Sequence, residues 1–309
     1  MERIESLSIK NFRGIRQGAV EGLADVNVFV GRNNSGKTTI IEAITRLAQH
    51  FGLGGDLLGR DMNNFWQNTR RRSGEHLRYM QARDEALEVN VTIEKVVHRL
   101  TIQPNGNTII DPQHSQGKRE FLSKMFVLAP QDAFDHTIES RFWHTLLANR
   151  RDKYLTTTLN TVFNLKAETF QMLPDGKLMV LFSEYSIPLD LQGDGTRTAL
   201  RTMMILAMLK RTLLMLEEPE CYQHPGSLER FALALCKLAR QQEVQLIIST
   251  HSGECVRAFL KGAKEAESEA ALFHLKLEDG IQEARRLDPE AIETLNSTGV
   301  DVRFLDLYA

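Results

Sequence analysis

The sequence predicts an α/β fold: a mainly parallel core sheet, an antiparallel β flank and an inserted helical lobe. Three observations carry that expectation. An apolar run, Val28-Phe29-Val30, passes into the glycine-framed turn Gly31-Arg32-Asn33-Asn34-Ser35-Gly36-Lys37-Thr38-Thr39 and then into helical spacing. Two later apolar runs, 212–216 and 244–249, each end in polar residues and alternate with helical pattern, as buried parallel strands joined by helices do. Between these halves lie a strand meander and then a helical stretch.

Taken in order, residues 4–12 alternate as a strand, with Ile4, Leu7, Ile9 and Phe12 apolar and Gly14 as a turn. Residues 24–30 form the next strand, apolar over 26–30 except for Asn27. The helix after it, 38–51, places Ile40, Ile41, Ile44, Leu47, Ala48 and Phe51 at helical spacing. Gly52-Leu53-Gly54-Gly55 ends that helix, and residues 53–84 read as irregular and polar. Residues 87–97, 99–103 and 108–110 look like strands, with Pro104-Asn105-Gly106-Asn107 as a turn. Residues 125–129 are a further strand, and 132–165 turn helical. Residues 167–187 read as a hairpin around Pro174-Asp175-Gly176-Lys177. A glycine-rich turn at 191–195 precedes a long helix, 196–210. Strand 212–216, helix 226–241, strand 244–249 and strand 271–277 with a short tail complete the pattern.

Composition excludes several classes. The chain has 309 residues and is 42% hydrophobic, enough for a sizeable core in one large domain or two small ones. A net charge of −2 gives no global attraction to nucleic acid or anionic membrane. Cys221, Cys236 and Cys255 form no CxxC pair and no metal spacing, and read as reduced thiols. Met1-Glu2-Arg3-Ile4-Glu5-Ser6 lacks the apolar region of a signal peptide, and the most apolar stretch, 203–209, is too short for a bilayer. A cytoplasmic protein without membrane contact is expected.

The turn at 31–38 matches G-x-x-x-x-G-K-[ST] at Gly31, Gly36, Lys37 and Thr38. Its glycines let the backbone curl so that N–H groups of residues such as Asn33, Asn34, Ser35 and Thr39 converge on an anion. The helix dipole points at the same spot. Lys37 supplies charge for the β- and γ-phosphates, and the Thr38 hydroxyl can hold Mg²⁺. Leu213-Leu214-Met215-Leu216-Glu217-Glu218-Pro219-Glu220 is an apolar strand ending in carboxylates: Glu217 is read as the Mg²⁺ ligand and Glu218 as the group that polarises water. In Leu246-Ile247-Ile248-Ser249-Thr250-His251-Ser252, His251 sits past a neighbouring strand, at the edge where ligands bind. Leu191-Gln192-Gly193-Asp194-Gly195-Thr196-Arg197 is, read alone, an ordinary glycine turn with a helix cap.

These four stretches, in this order, resemble the ATP-binding-cassette (ABC) superfamily, in its non-transporter branch of SMC, RecF-like and overcoming-lysogenisation-defect (OLD) ATPases. Leu7-Ser8-Ile9-Lys10-Asn11-Phe12-Arg13-Gly14-Ile15 resembles the opening strand, residues 31–38 Walker A, 191–197 the OLD-type signature, and Glu217-Glu218-Pro219 Walker B with Glu where Asp is usual. Residues 220–225 resemble the D-loop and 249–252 the switch-histidine loop. The resemblance implies an α/β, P-loop ABC-type ATPase head: a single domain over residues 1–309. Within it, 1–130 carries Walker A and the β lobe, 131–211 the helical lobe and signature, and 212–309 Walker B, D-loop, H-loop and tail. It implies ATP and Mg²⁺, and a homodimer in which Gly193, Asp194, Gly195 and Thr196 meet the γ-phosphate held by a second copy. Arg13 is a further nucleotide contact and Gln131 a candidate Q-loop metal contact by the same resemblance. Residues 132–165 leave room only for a short lobe in place of long coiled coils, and the 58 residues after His251 are too few for a Toprim nuclease. A head acting through a separate effector or nuclease subunit, in bacterial anti-phage defence or DNA repair, is the implied role. The alternative is an ATP-dependent DNA-binding clamp, to which Arg70-Arg71-Arg72 with His76 and Arg78, or Arg150-Arg151-Lys153, would contribute if they are more than solvated surface.

Overall fold

Val26–Val30 is buried at all five positions and forms β3, the central strand. The computed structural model describes residues 2–50, 84–111, 116–135 and 137–288. On one side β3 pairs in parallel with β12 (Val244–Ser249), which pairs with β11 (Thr212–Glu217), which pairs with β7 (Phe126–Leu128). On its other side lies β13 (Ala270–Glu278), also parallel. Such strands are covered on both faces, so they read as unbroken apolar runs. Asn27 is the exception, and its amide explains it. Its Oδ1 accepts from the Ala24 backbone N–H at 2.7 Å, and its Nδ2 donates to the Ala24 and Leu246 carbonyls.

The flank is antiparallel. β1 (Ile4–Phe12) pairs with β2 (Ile15–Glu21) and with β4 (Leu87–Ile93), followed by β5 (Val96–Ile102) and β6 (Thr108–Asp111). β14 (Ile281–Leu287) joins flank to core: it pairs antiparallel with β13 and parallel with β2. The result is an 11-stranded sheet in the order β6-β5-β4-β1-β2-β14-β13-β3-β12-β11-β7. A separate antiparallel sheet holds β8 (Thr169–Met172), β9 (Leu178–Leu181) and β10 (Ser186–Pro188).

Seven helices occur among the described residues: α1 (Lys37–His50), α2 (Gln116–Ser123), α3 (Thr137–Ala148), α4 (Asp152–Phe163), α5 (Asp194–Met208), α6 (Pro225–Gln242) and α7 (Gly253–Glu265). Strand alternation divides the core. Val28, Leu214, Leu216, Leu246 and Ile248 face the helices α3–α7, whereas Phe29, Leu213, Met215 and Ile247 face α1 and the flank. Helices α6 and α7 approach closely at Gly262, where an added Cβ would meet the Leu233 backbone nitrogen at 3.0 Å.

Several expectations need correction. The run 87–97 is two strands, not one: Glu94 and Lys95 take positive φ (47° and 65°) and make a two-residue turn. β2, β14, α2 and α7 are elements beyond those the sequence pattern marks. β14, with Gln282, Glu283, Arg285 and Arg286, has no apolar alternation and is a strand because β13 and β2 supply its partners. Phe51, the turn at 52–55 and most of the irregular stretch 53–84 lie outside the described residues, as do Arg70-Arg71-Arg72, His76 and Arg78. Among the described residues, no helix is long and apolar enough to cross a membrane.

The helical lobe is fastened to α5 by charge. Arg201 is 1% exposed, its Nε donates to Glu139 Oε1 at 2.7 Å, and a second arm reaches Asp190 at 3.3 Å. Removing one member of a buried pair leaves the other charge stranded. Arg201→Met should therefore destabilise the protein by about 3–5 kcal/mol. A urea midpoint equal to that of the unchanged protein would contradict this.

Candidate functional site

β3 delivers the chain into the turn at Gly31, which has φ +152°; Gly36, at its end, has φ +90°. Both values disfavour any side chain. Space disfavours one too, since a Cβ on Gly31 would lie 2.4 Å from the Leu275 carbonyl oxygen of β13. Helix α1 starts immediately, with the Ile40 N–H donating to the Gly36 carbonyl at 3.1 Å. Its positive end therefore opens on the loop. Asn33 and Asn34 are exposed, Ser35 is buried, and Thr38 and Thr39 are half-buried in the first turn of α1.

Lys37 is 6% exposed and folds back over the loop. Its ammonium donates to the Gly31 carbonyl at 2.8 Å, the Arg32 carbonyl at 2.9 Å and Ser35 Oγ at 3.3 Å. Burial lowers its pKa to about 8, against an opposing pull from the Glu218 carboxylate.

The parallel register brings the other strand tips alongside. Glu217 of β11 is opposite Ser249 of β12, which is opposite Phe29 of β3. The Thr250 N–H then donates to the Phe29 carbonyl at 3.1 Å and the Glu218 N–H to the Ser249 carbonyl at 2.8 Å. Glu218 takes φ +46°, a left-handed turn that swings its side chain off the strand line. Its Oε1 lies 3.7 Å from His251 Nε2. His251 also hydrogen-bonds to the Gly31 backbone; burial and the nearby Lys37 charge keep its pKa below the ordinary histidine value, with Glu218 pulling the other way. At neutral pH the imidazole is thus neutral. Lys37, Glu218 and His251, distant in sequence, occupy one place. Glu217 stands half-buried at the end of β11 and Thr38 in the first turn of α1; carboxylate and hydroxyl oxygens are the donor types that suit Mg²⁺.

The signature segment faces elsewhere in its own chain. Gly193 caps α5 at φ −60°, ψ 147°, and an added Cβ there would meet nothing within 4 Å among the described residues. Asp194 pairs with Arg197, Thr196 is buried, and Leu191 is 73% exposed. Gly195 packs on the next loop: a Cβ would come within 2.6 Å of the Tyr222 carbonyl, and Gln223 Nε2 donates to the Gly195 carbonyl at 2.9 Å.

That loop, residues 220–225, reaches the loop at 249–252 through Glu220. Thr250 Oγ1 donates to Glu220 Oε1 and accepts from the Ser252 N–H at 2.9 Å. Burial pushes the Glu220 carboxyl up, Thr250 offsetting part of this. A continuous chain of contacts thus runs from Gly195 through Gln223 and Glu220 to Thr250, next to His251. The signal was a third acid, Glu220, directly after a strand tip that needs only two. Cys221 donates its thiol to Glu218 Oε2 at 3.6 Å; burial, then the charge of Glu218, pushes it up to about 11, so it stays a neutral donor.

Two expected residues are placed differently. Arg13 is 8% exposed, and its Nε donates to both oxygens of Glu42 on α1, at 3.0 and 3.1 Å. Gln131 is exposed in the 3₁₀ turn Pro130–Phe134. A partly open cleft beside Glu217 and Glu218 is walled by Pro130, Asp132, Arg201 and Tyr222, and not by Gln131. Arg150 and Lys153 are exposed at the α3–α4 turn.

Comparison with known proteins fits this arrangement. The model of the AAA ATPase domain matches residues 3–114 and 130–256, well over half of the chain. The chain belongs to the AAA ATPase domain family. This AAA ATPase domain shares 28% identity over 113 residues with the uncharacterized protein MJECL11 of Methanocaldococcus jannaschii, 36% of this chain and 98% of that one. With MJECL10 of the same organism it is 49% identical over 41 residues, 13% of this chain and 19% of that one. Its fold is similar to the SMC head domain from Thermotoga maritima (TM-score 0.59, 15% identity, 93% of this chain and 99% of that chain). It is also similar to an Smc head domain with an extended coiled coil derived from Pyrococcus furiosus, bound to the C-terminal domain of ScpA (TM-score 0.59, 13% identity, 96% and 100% covered). The fold is thus that of the SMC head domains, carried by a chain of the AAA ATPase domain family.

The AAA ATPase family implies nucleotide binding, and Lys37 gives it a pH signature. A bound phosphate favours the charged ammonium, so its pKa rises on binding and complex formation takes up a proton above pH 8. Affinity for a nucleotide should fall as pH rises through about 8, by at most roughly tenfold per pH unit. Calorimetric titrations from pH 7 to 9.5 would show this slope, and Lys37→Met should flatten it.

Proposed function

We propose that this chain is an ATP-hydrolysing head that closes on a second copy of itself around two ATP molecules and uses that closure to control a separate effector. The observation that carries the reading is the convergence of Lys37, Glu218 and His251 at the tips of β3, β11 and β12.

In this reading the amides of residues 31–39 and the end of α1 bind the β- and γ-phosphates, and Lys37 exchanges its loop carbonyls for phosphate oxygens. Glu218 draws a proton from the attacking water, and neutral His251 exchanges its Gly31 partner for the γ-phosphate, to which it donates its one N–H. Thr38 and Glu217 would hold Mg²⁺, whose chemistry is to offset charge on the β- and γ-oxygens. Gly193, Asp194, Gly195 and Thr196 serve the phosphate held by the other copy. Gly193 supports this: among the described residues nothing lies within 4 Å of where its Cβ would stand, which leaves room for a phosphate to approach its backbone. Exposed Leu191 and Tyr222 beside it are apolar surface for the same contact. We read residues 1–309 as one such head. The Pyrococcus furiosus head bound to ScpA supports a partner polypeptide docking on this one, and defence or repair remains the setting proposed for it.

Glu218→Gln should lower turnover by about 10²–10⁴-fold and leave a nucleotide-bound dimer visible by light scattering. Hydrolysis at the original rate would remove Glu218 as the base. Gly193→Val should leave the melting temperature and monomeric ATP binding unchanged while abolishing ATP-dependent dimerisation and turnover; a variant that turns over normally would defeat the two-copy reading. Gel shifts with duplex DNA over a salt series, with and without ATP, separate effector control from a DNA clamp, which requires a steep salt slope.

A further inference from the structure

The phosphate loop rests on a hairpin, β13–β14, that lies beyond the residues matched by the family model. Gly31 abuts the Leu275 carbonyl of β13, and the far end of the loop abuts Gln282 of β14. Gln282 is 4% exposed, and its Nε2 donates to the Ser35 carbonyl at 3.0 Å. Two glycines make room for this side chain. A Cβ on Gly36 would lie 2.2 Å from Gln282 Nε2, and one on Gly18 of β2 would lie 2.9 Å from Gln282 Cβ and 3.0 Å from its Oε1. Gly18 and Gln282 are direct partners in the β2–β14 pairing.

The other end of the amide is a clue to its purpose. Gln282 Oε1 is buried with no hydrogen-bond partner among the described residues. An unpaired buried acceptor works against stability, and an apolar side chain of the same length would fill the space without it. The donor end must therefore matter. A carbonyl turned into the loop would repel phosphate. Pinning that of Ser35 against β14 fixes the peptide plane whose N–H belongs to Gly36, within the ring of amides that receives the anion.

We propose that Gln282 is a positioning residue for nucleotide binding: held between Gly18 and Gly36, it locks the Ser35–Gly36 peptide so that the loop presents its amides to phosphate before ligand arrives. The proposal rests on the nucleotide reading of the loop. Because Gln282 touches the loop and not the reacting atoms, its loss acts on binding more than on the chemical step.

The test uses the full chain with Gln282→Met, which keeps length and loses the donor, and Gln282→Glu, which sets a carboxylate against the Ser35 carbonyl. ADP affinity is read by calorimetry, KM and kcat with ATP, and thermal midpoints without nucleotide. Gln282→Met should weaken ADP binding and raise KM about five- to tenfold, with kcat within about twofold and the thermal midpoint within about 3 °C. Gln282→Glu should bind more weakly still. ADP affinity for folded Gln282→Met equal to that of the unchanged protein overturns the proposal while leaving the nucleotide reading intact. An unchanged protein that binds no ADP overturns that reading, and this one with it. Should either variant fail to fold, the unchanged protein decides by NMR. The Gln282 side-chain amide should exchange slowly with solvent and shift when ADP binds, and a signal that ADP leaves unmoved overturns the proposal.

Discussion

The candidate site depends on the register of three parallel strands. Phe29, Ser249 and Glu217 stand in one row across β3, β12 and β11. Backbone bonds from Thr250 to Phe29 and from Glu218 to Ser249 carry that alignment one residue past the sheet. Because side chains alternate with a period of two, a slip of one residue in β11 would turn Leu214 and Leu216 into the core of the opposite face and take Glu218 away from His251. Both faces are closely packed, so that slip would set side chains of the wrong shape into each half of the core. Each buried Leu or Ile contributes about 1.5–3 kcal/mol, so the placement of a few polar groups is enforced by a much larger apolar term. The core and the chemistry are specified by the same alternation.

That coupling explains what could be read in advance. The glycine-framed loop, Glu217-Glu218 and His251 are legible because each follows an apolar run directly, and a strand tip in a parallel sheet has few places to go. The elements that escaped notice are those whose reasons lie across the fold. β14 is charged along most of its length and is a strand only because β2 and β13 pair with it. α7 carries Gly262 in its last turn, a residue that speaks against a helix until the close passage of α6 is seen. Arg13 is a nucleotide contact by the resemblance alone, and the structure pairs it with Glu42. The hint was Glu42, a charge set among Ile40, Ile41 and Ile44 on a buried helix face, which needs a cation.

The division of labour between chain segments also differs from what the motifs suggest. The recognised signatures end near residue 256, but the loop leans on residues 275 and 282. The helical lobe, read as a shortened insertion, is tied by Glu139 and Arg201 to the helix that carries Gly193 and Gly195 at its start. Support for each end of the site therefore comes from segments with no motif of their own.

Lys37 has a consequence for selectivity. Its ammonium is already engaged by two carbonyls and a hydroxyl of its own loop. A visitor does not meet a bare charge; it must outbid three oxygens that are fixed at good distance. A neutral molecule has nothing stronger to offer, and a singly charged anion little more. Clustered phosphate oxygens, with several negative charges at short range, do. The loop therefore sorts its ligands by charge density before shape is consulted, and the lysine acts as a threshold as much as an attraction.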